Sequence, residues 1–276
     1  MLNYTTHAIE AMSEPRMLRA MAGSVPRSIN KILDVIAMLQ RAERFIMPDY
    51  GRVFAPGTRR CDFRDLLRLP YPVCAIEYAA PGRMTAPTPE VKQNDYFPTR
   101  RIALCVDRGD NCVLVFSIFE FDPGGWTMAP MCALLDPADI EIDPDTGLFD
   151  CKLVPVIHEV VDRPDYNDAA AMLDLSDEVN AAVEFMMTIN CENVKRERVD
   201  APAKLNKKRV ASGKVPFSSY WILDVFKEQV AAIGTSQGGN HASPRRHFRR
   251  GHIRRLASGR STFVRHTMVG SGAAGT

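Results

Sequence analysis

The sequence predicts an α+β fold: N-terminal helices, a central antiparallel β-meander, one helix packed on it, and an appended basic C-terminal β-hairpin. Three observations carry this expectation. Apolar residues recur at helical spacing in the first fifty residues and again near 175–195. Between 73 and 157, short runs rich in Val, Ile and Phe alternate with Gly/Pro/Asp turns. Charge is segregated: His241 to Thr276 holds eight arginines, four histidines and no carboxylate, while the other 240 residues hold 27 Lys+Arg against 33 Asp+Glu. The formal net charge of +2 thus conceals an acidic body and a cationic tail.

The first helical pattern is Ile9, Met12, Met17, Leu18 and Met21, broken near Pro15. Gly23 and Pro26 supply a stop and a restart. Ile29, Ile32, Leu33, Ile36, Leu39 and Phe45 predict a second helix running to just before Pro48. Asp62 to Arg68 predicts a short helix, and Val73 to Tyr78 a strand between proline-marked boundaries. Residues 80–98 contain four prolines and read as a loop.

The meander follows. Arg101–Val106, Cys112–Phe121 and Trp126–Leu135 are three strands, separated by the turns Asp107–Asn111 and Asp122–Gly125. Two more strands are expected at 138–143 and 148–157. Val179, Ala182, Val183, Met186, Met187 and Ile189 stripe the helix that covers the sheet. Lys204, Lys207, Lys208, Arg209 and Lys214 read as a basic surface loop, followed by a strand over Phe217–Phe226. Residues 234–245 are Gly/Ser/Gln/Asn-rich and read as a linker. The expected organisation is a globular body over 1–233, that linker, and a basic element over 246–276, with Ala257–Gly259 turning a hairpin.

Composition narrows the function. A chain of 276 residues with 46% hydrophobic and 25% charged residues can bury a sizeable core. No apolar stretch has the length of a membrane span, and the N-terminus lacks a signal-peptide core. Seven cysteines without a Cys-x-x-Cys pair read as buried reduced thiols, in keeping with a reducing cytoplasm.

The tail is the main candidate site. Arg245, Arg246, His247, Arg249, Arg250, His252, Arg254, Arg255 and Arg265 offer bidentate phosphate donors interleaved with rings that stack on bases, and Lys207, Lys208 and Arg209 would support them. The competing reading is a solvated tail, or one paired with the acidic body. The tail has no cysteine for a zinc site, and no metal ligand set or cofactor is assigned. Asp107, Asp110, Glu120 and Asp122, or Glu141, Asp143 and Asp145, surround turns, where aspartate serves the backbone. Glu77 is unusual on an apolar strand and is expected on an outward polar face. There is no Gly-x-Ser-x-Gly nucleophile elbow, so no catalytic residue is assigned.

Leu205–Pro216, the Arg-Gly-His-x-Arg element within Arg246–Arg255, Val264-Arg-His266, Gly270 and the Leu69–Tyr78 segment resemble uncharacterised proteins encoded by tailed bacteriophages and prophages. The resemblance implies a phage origin and action inside a bacterial host. It brings no activity and no catalytic residue. In such proteins the basic element often continues into further chain, so the resemblance also implies that it is incomplete at Thr276. The expected function is a phage accessory protein that binds DNA or RNA, or a host nucleoprotein complex, through the Arg/His element. The alternatives are a protein–protein inhibitor of a bacterial defence or host enzyme, and a metal-dependent nuclease using His247 and His252 beside carboxylates.

Overall fold

The first helix is capped from across the molecule. Asn3 precedes it in a left-handed conformation and its side chain makes no cap. The backbone N–H groups of Tyr4 and Thr5 instead donate to Glu77 Oε2 and Oε1, both at 2.9 Å. This is the fold's central arrangement in miniature: helices close over a sheet whose strands are buried on both faces.

The computed structural model describes residues 3–22, 25–54, 64–80, 100–122, 125–142, 149–157, 168–225, 247–249, 252–264 and 267–269. Helices α1 (Tyr4–Met12), α2 (Pro15–Ala22) and α3 (Pro26–Arg41) come first. They are followed by strand β1 (Glu43–Ile46), a single helical turn at Asp49–Gly51 and another at Arg64–Leu66. The meander comprises β2 (Val73–Ala79), β3 (Arg100–Asp107), β4 (Val113–Asp122) and β5 (Gly125–Leu135), with the small strands β6 (Glu141–Ile142), β7 (Phe149–Asp150) and β8 (Lys152–Pro155). Helix α4 (Asp168–Ile189), strand β9 (Arg196–Val199), helix α5 (Ala203–Ala211) and strand β10 (Tyr220–Leu223) complete the body. The C-terminal strands are β11 (His247–Arg249), β12 (His252–Arg255), β13 (Ser261–Val264) and β14 (Thr267–Val269).

The α+β class is as expected, and the three longest meander strands fall where the turns predicted them. One sheet runs in the order β8-β5-β4-β3-β2-β1-β10-β9. It is antiparallel from β8 to β2, then parallel where β1 pairs with β2 and β10, so the sheet is mixed. Pro130 sits where the β4–β5 register slips, a place where a strand tolerates a missing N–H. Alternation on β2 divides the core: Cys74, Ile76 and Tyr78 face α4, while Val73 and Ala75 face α1 and α3.

Four expectations are corrected. The second helix stops at Arg41, and Glu43–Ile46 becomes a strand because both edges of that short segment find partners. The basic segment at 204–209 is a helix, not a loop. The strand expected over Phe217–Phe226 is confined to Tyr220–Leu223 among the described residues. Glu77 does not face water; it lies 1% exposed beneath the start of α1. The proposed linker at 234–245 lies outside the described residues, as do Asp143 and Asp145.

Long helix α4 is buried nearly all round, and it carries polar groups into the core that are satisfied there. Glu178 accepts from Arg101 Nε at 2.6 Å, Arg101 Nη2 at 3.0 Å and Tyr78 Oη at 2.9 Å. Burial raises the Glu178 pKa, and Arg101 opposes it. Burial works most strongly against the charge on Arg101, but Glu178, Tyr78 and Asp177 together outweigh it and raise the guanidinium pKa. Nearly two turns further on, Glu184 accepts from the backbone N–H groups of Val53 at 2.5 Å and Phe54 at 3.0 Å, and from Arg52 Nη1 at 3.2 Å. Gly51 (φ +63°) presses against Ala181 at the same place, where a Cβ would stand 2.4 Å from the alanine methyl.

Candidate interaction surface

The basic residues singled out by the sequence fall into two structural settings. The first is the C-terminal hairpin. β12 and β13 pair antiparallel about the turn at 256–260, and Leu256 N–H and Gly259 N–H close that turn. The hairpin is docked on the body: Ile253 and Phe263 enter the α4-side core, with the Phe263 ring 5.8 Å from Phe54. Asn193 clamps the backbone of Phe263 twice, at 2.7 and 2.8 Å, and Glu192 N–H donates to the Ser261 carbonyl at 2.9 Å.

Docking draws tail arginines onto acidic partners. Arg255 forks onto Asp65, with Nη1 at 2.8 Å and Nη2 at 2.5 Å. That hydrogen bond holds the Asp65 carboxyl below its ordinary range. Arg260 pairs with Glu192. Arg254 is exposed and His252 half-buried. His247 and Arg249 lie on β11, which pairs with β14. Arg245, Arg246, Arg250 and Arg265 lie outside the described residues.

The second setting is the excursion β9–α5–β10. β9 is an edge strand, and Arg196 and Arg198 project from one of its faces. The Arg196 guanidinium lies 5.2 Å from the Tyr71 ring and 5.3 Å from Trp221, and Arg198 lies 5.8 Å from Trp221. The Trp221 indole N–H donates to Glu43 at 2.9 Å, which fixes the ring. Arg198 also meets Asp200 at 3.4 Å, with both side chains well exposed.

Helix α5 buries none of its nine residues. So short a helix does not persist on propensity alone. It is held by polar clips on one face. Asn206 donates to the Phe217 carbonyl at 2.7 Å and accepts from Phe217 N–H at 2.8 Å. Arg209 stacks 4.0 Å over the Phe217 ring, donates to the Val215 carbonyl and reaches Glu10 Oε1 of α1 at 2.6 Å. Val215 N–H shares that carboxylate oxygen at 2.9 Å. Arg209 is therefore committed to the body.

Helical spacing puts Lys204, Lys207 and Lys208 on the face opposite Asn206 and Arg209. All three are exposed, and none forms an ion pair among the described residues. Leu205 and Val210, 43% and 60% exposed, flank them. The helix contains no carboxylate. The sequence signals for it were Pro202 before its first turn and Gly213 (φ +70°) after its last. The aromatic seats of Arg196 and Arg198 had no signal in sequence.

Elsewhere, two of the carboxylates considered for metal chemistry serve structure. Asp107 accepts from Gly109 N–H at 2.8 Å inside its turn, and the buried Glu120 pairs with Arg100 at 3.1 Å. Among the described residues no group of three or more His, Cys, Asp or Glu side chains is placed to hold a metal ion. Among the described residues no helix is long and apolar enough to cross a membrane.

No curated protein and no solved structure matches the chain. A family model does, across most of its length: residues 59–271 match the AcrVA2-like family, described as anti-CRISPR type V subtype A2. That span contains the meander, α4, the lysine helix and the docked hairpin. The chain belongs to the AcrVA2-like anti-CRISPR family.

Proposed function

We propose that this protein is a phage-encoded inhibitor of a type V CRISPR defence, acting in the host cytoplasm by binding a component of that defence. The family match over 59–271 carries the reading. It favours the inhibitor alternative over the nucleic-acid-binding tail as the primary function. The geometry supports binding as the mode of action. The buried carboxylates Glu77, Glu178 and Glu184 are committed to backbone N–H groups and arginines. The exposed cations of α5 and β9 are available for a partner.

Two measurements test it together. A phage targeted by a type V system is plated on hosts with and without the protein. The tagged protein is also recovered from nuclease-treated lysate of those hosts, and its partners are identified. Restored plating with a CRISPR protein retained after nuclease treatment is the expected outcome. Unrestored plating, or restored plating with no CRISPR component retained, refutes the proposal.

A further inference from the structure

We infer that the open edge of β9 is a docking strand for an extended acidic peptide of a partner protein, which adds to the sheet with carboxylates at alternate positions facing Arg196 and Arg198. The inference rests on the inhibitor reading, of which it names one contact.

Hydrogen-bond parity shows which backbone groups the edge offers. The Asp224 N–H donates to the Lys195 carbonyl at 2.8 Å. Trp221 lies opposite Arg198 and Leu223 opposite Arg196, so this register turns the backbone groups of Lys195, Glu197 and Val199 toward β10. The N–H and C=O groups of Arg196 and Arg198 therefore point away from β10, out of the sheet. β9 ends the strand order, and no described residue pairs with that side. Proteins guard such an edge with proline, a bulge or charge. The opposite edge strand, β8, ends in Pro155. β9 has neither a proline nor a register shift, so charge alone guards it. That guard is selective. A second copy pairing antiparallel would bring arginine against arginine, whereas an acidic strand is attracted.

The side chains at the same edge select the occupant. Residues two apart share a face, so Arg196 and Arg198 stand side by side on the α4 side of the sheet, where Trp221 and Tyr71 pack. Arg196 is seated against both rings and forms no ion pair among the described residues. The carboxylate partner of Arg198 is Asp200, and a pair so exposed is weakly held. In an added antiparallel strand, the residues directly opposite Arg196 and Arg198 receive their backbone bonds and place side chains on their face. Carboxylates there meet two pre-placed guanidinium groups. The residue between them falls opposite Glu197 on the other face, where a third carboxylate is repelled. The segment recognised is therefore acidic–x–acidic in extended conformation, with x not acidic. Main-chain bonds supply its affinity and the two arginines its specificity. Nucleic acid suits this edge less. It has no peptide backbone to pair, and Trp221 already carries two guanidinium groups where a base would stack.

The test is a fluorescence-anisotropy titration of the full chain into a short labelled peptide that alternates glutamate with threonine. Two further versions each carry one backbone N-methyl group, on a central glutamate or on the neighbouring threonine. When the peptide pairs with β9, its glutamates aim their N–H groups at Arg196 and Arg198, and its threonines aim theirs at water. N-methylation of the glutamate should weaken binding at least about tenfold, and that of the threonine should leave it within about twofold. Saturating peptide should slow hydrogen exchange at the Arg196 and Arg198 amides at least about tenfold. Arg196→Gln/Arg198→Gln should weaken the parent peptide about tenfold, through loss of two exposed ion pairs. The N-methyl comparison uses the unaltered protein, so it decides the matter even where that variant is unstable.

Absence of binding between the wild type and the alternating peptide overturns the inference. So does equal weakening by the two N-methyl groups, equal binding of a peptide with the same glutamates gathered in one block, unchanged exchange at Arg196 and Arg198, or tighter binding of a single-stranded oligonucleotide. Phage plating separates this from the parent reading. A folded arginine variant that loses peptide binding and phage protection together is the expected result. If it loses the peptide yet protects phage fully, the edge is not part of inhibition and the inference fails alone. If the wild type does not protect phage, the inhibitor reading fails whatever the titration gives.

Discussion

Glu77→Ala should be among the most damaging single changes in this protein, though Glu77 touches no candidate partner surface. Its two oxygens receive the Tyr4 and Thr5 N–H groups, which have no side-chain cap of their own. Its charge also sits at the positive end of α1. On the same sheet face lies Arg44, 6% exposed, whose pKa burial lowers and Glu77 supports. Truncation leaves two buried donors without their acceptor and takes from Arg44 one of its two supporting charges. An unsatisfied buried donor costs about 1–3 kcal/mol. Two such donors give an expected loss of about 4 kcal/mol, or roughly 8–16 °C in Tm for a chain of this size. Glu77→Gln keeps an acceptor and should cost less than half as much. Thermal unfolding followed by circular dichroism measures both, and hydrogen exchange at Tyr4 and Thr5 localises the effect. A Glu77→Ala melt within about 2 °C of wild type refutes the account of α1 capping.

Gly51→Ala forces a left-handed alanine and drives its methyl into Ala181, so a loss of about 3 kcal/mol is expected in denaturant unfolding, partly recovered in Gly51→Ala/Ala181→Gly. The Asp65–Arg255 contact should be sensitive to acid. Arg255 holds Asp65 below its ordinary 3.8, so the contact contributes fully above that value and is lost as pH falls through the depressed one. Both groups are more than a third exposed, so the contribution is at most about 1 kcal/mol. Amide exchange across 252–264 should quicken below that pH in the wild type and lose this pH dependence in Asp65→Asn.

The sequence made the meander legible because each strand announces itself locally. β3, β4 and β5 are runs of β-branched and aromatic residues closed by turns such as Asp107–Asn111, in which Gly109, Asp110 and Asn111 take positive φ. What escaped was structure created by distant partners. Phe45 fits the apolar period of α3, but its seat against Phe185 on the far side of the sheet makes 43–46 a strand. Lys195–Arg198 has no apolar alternation to mark a strand, and only pairing with β10 makes Arg196–Val199 β9. α5 has no apolar face, so periodicity is silent on it. The candidate site was half legible: the cations were visible, but whether each is free or paired depends on residues up to 199 positions away, as Arg209 and Glu10 show.

Segregated charge along a sequence is therefore a poor map of charge on a surface. The tail dominates the count, yet the described hairpin places Arg255 and Arg260 on Asp65 and Glu192. The helix with fewer cations presents three of them with no ion pair among the described residues. The same logic bears on the residues before the family match. α1 and α3 cover Ile102, Leu104, Phe116 and Ile118 of the sheet, and Glu10 of α1 holds the inner face of α5. Without them one face of the matched region would lie open to water and the lysine helix would lose its anchor to α1. The segment outside the family match is thus part of the machinery that presents the surface inside it.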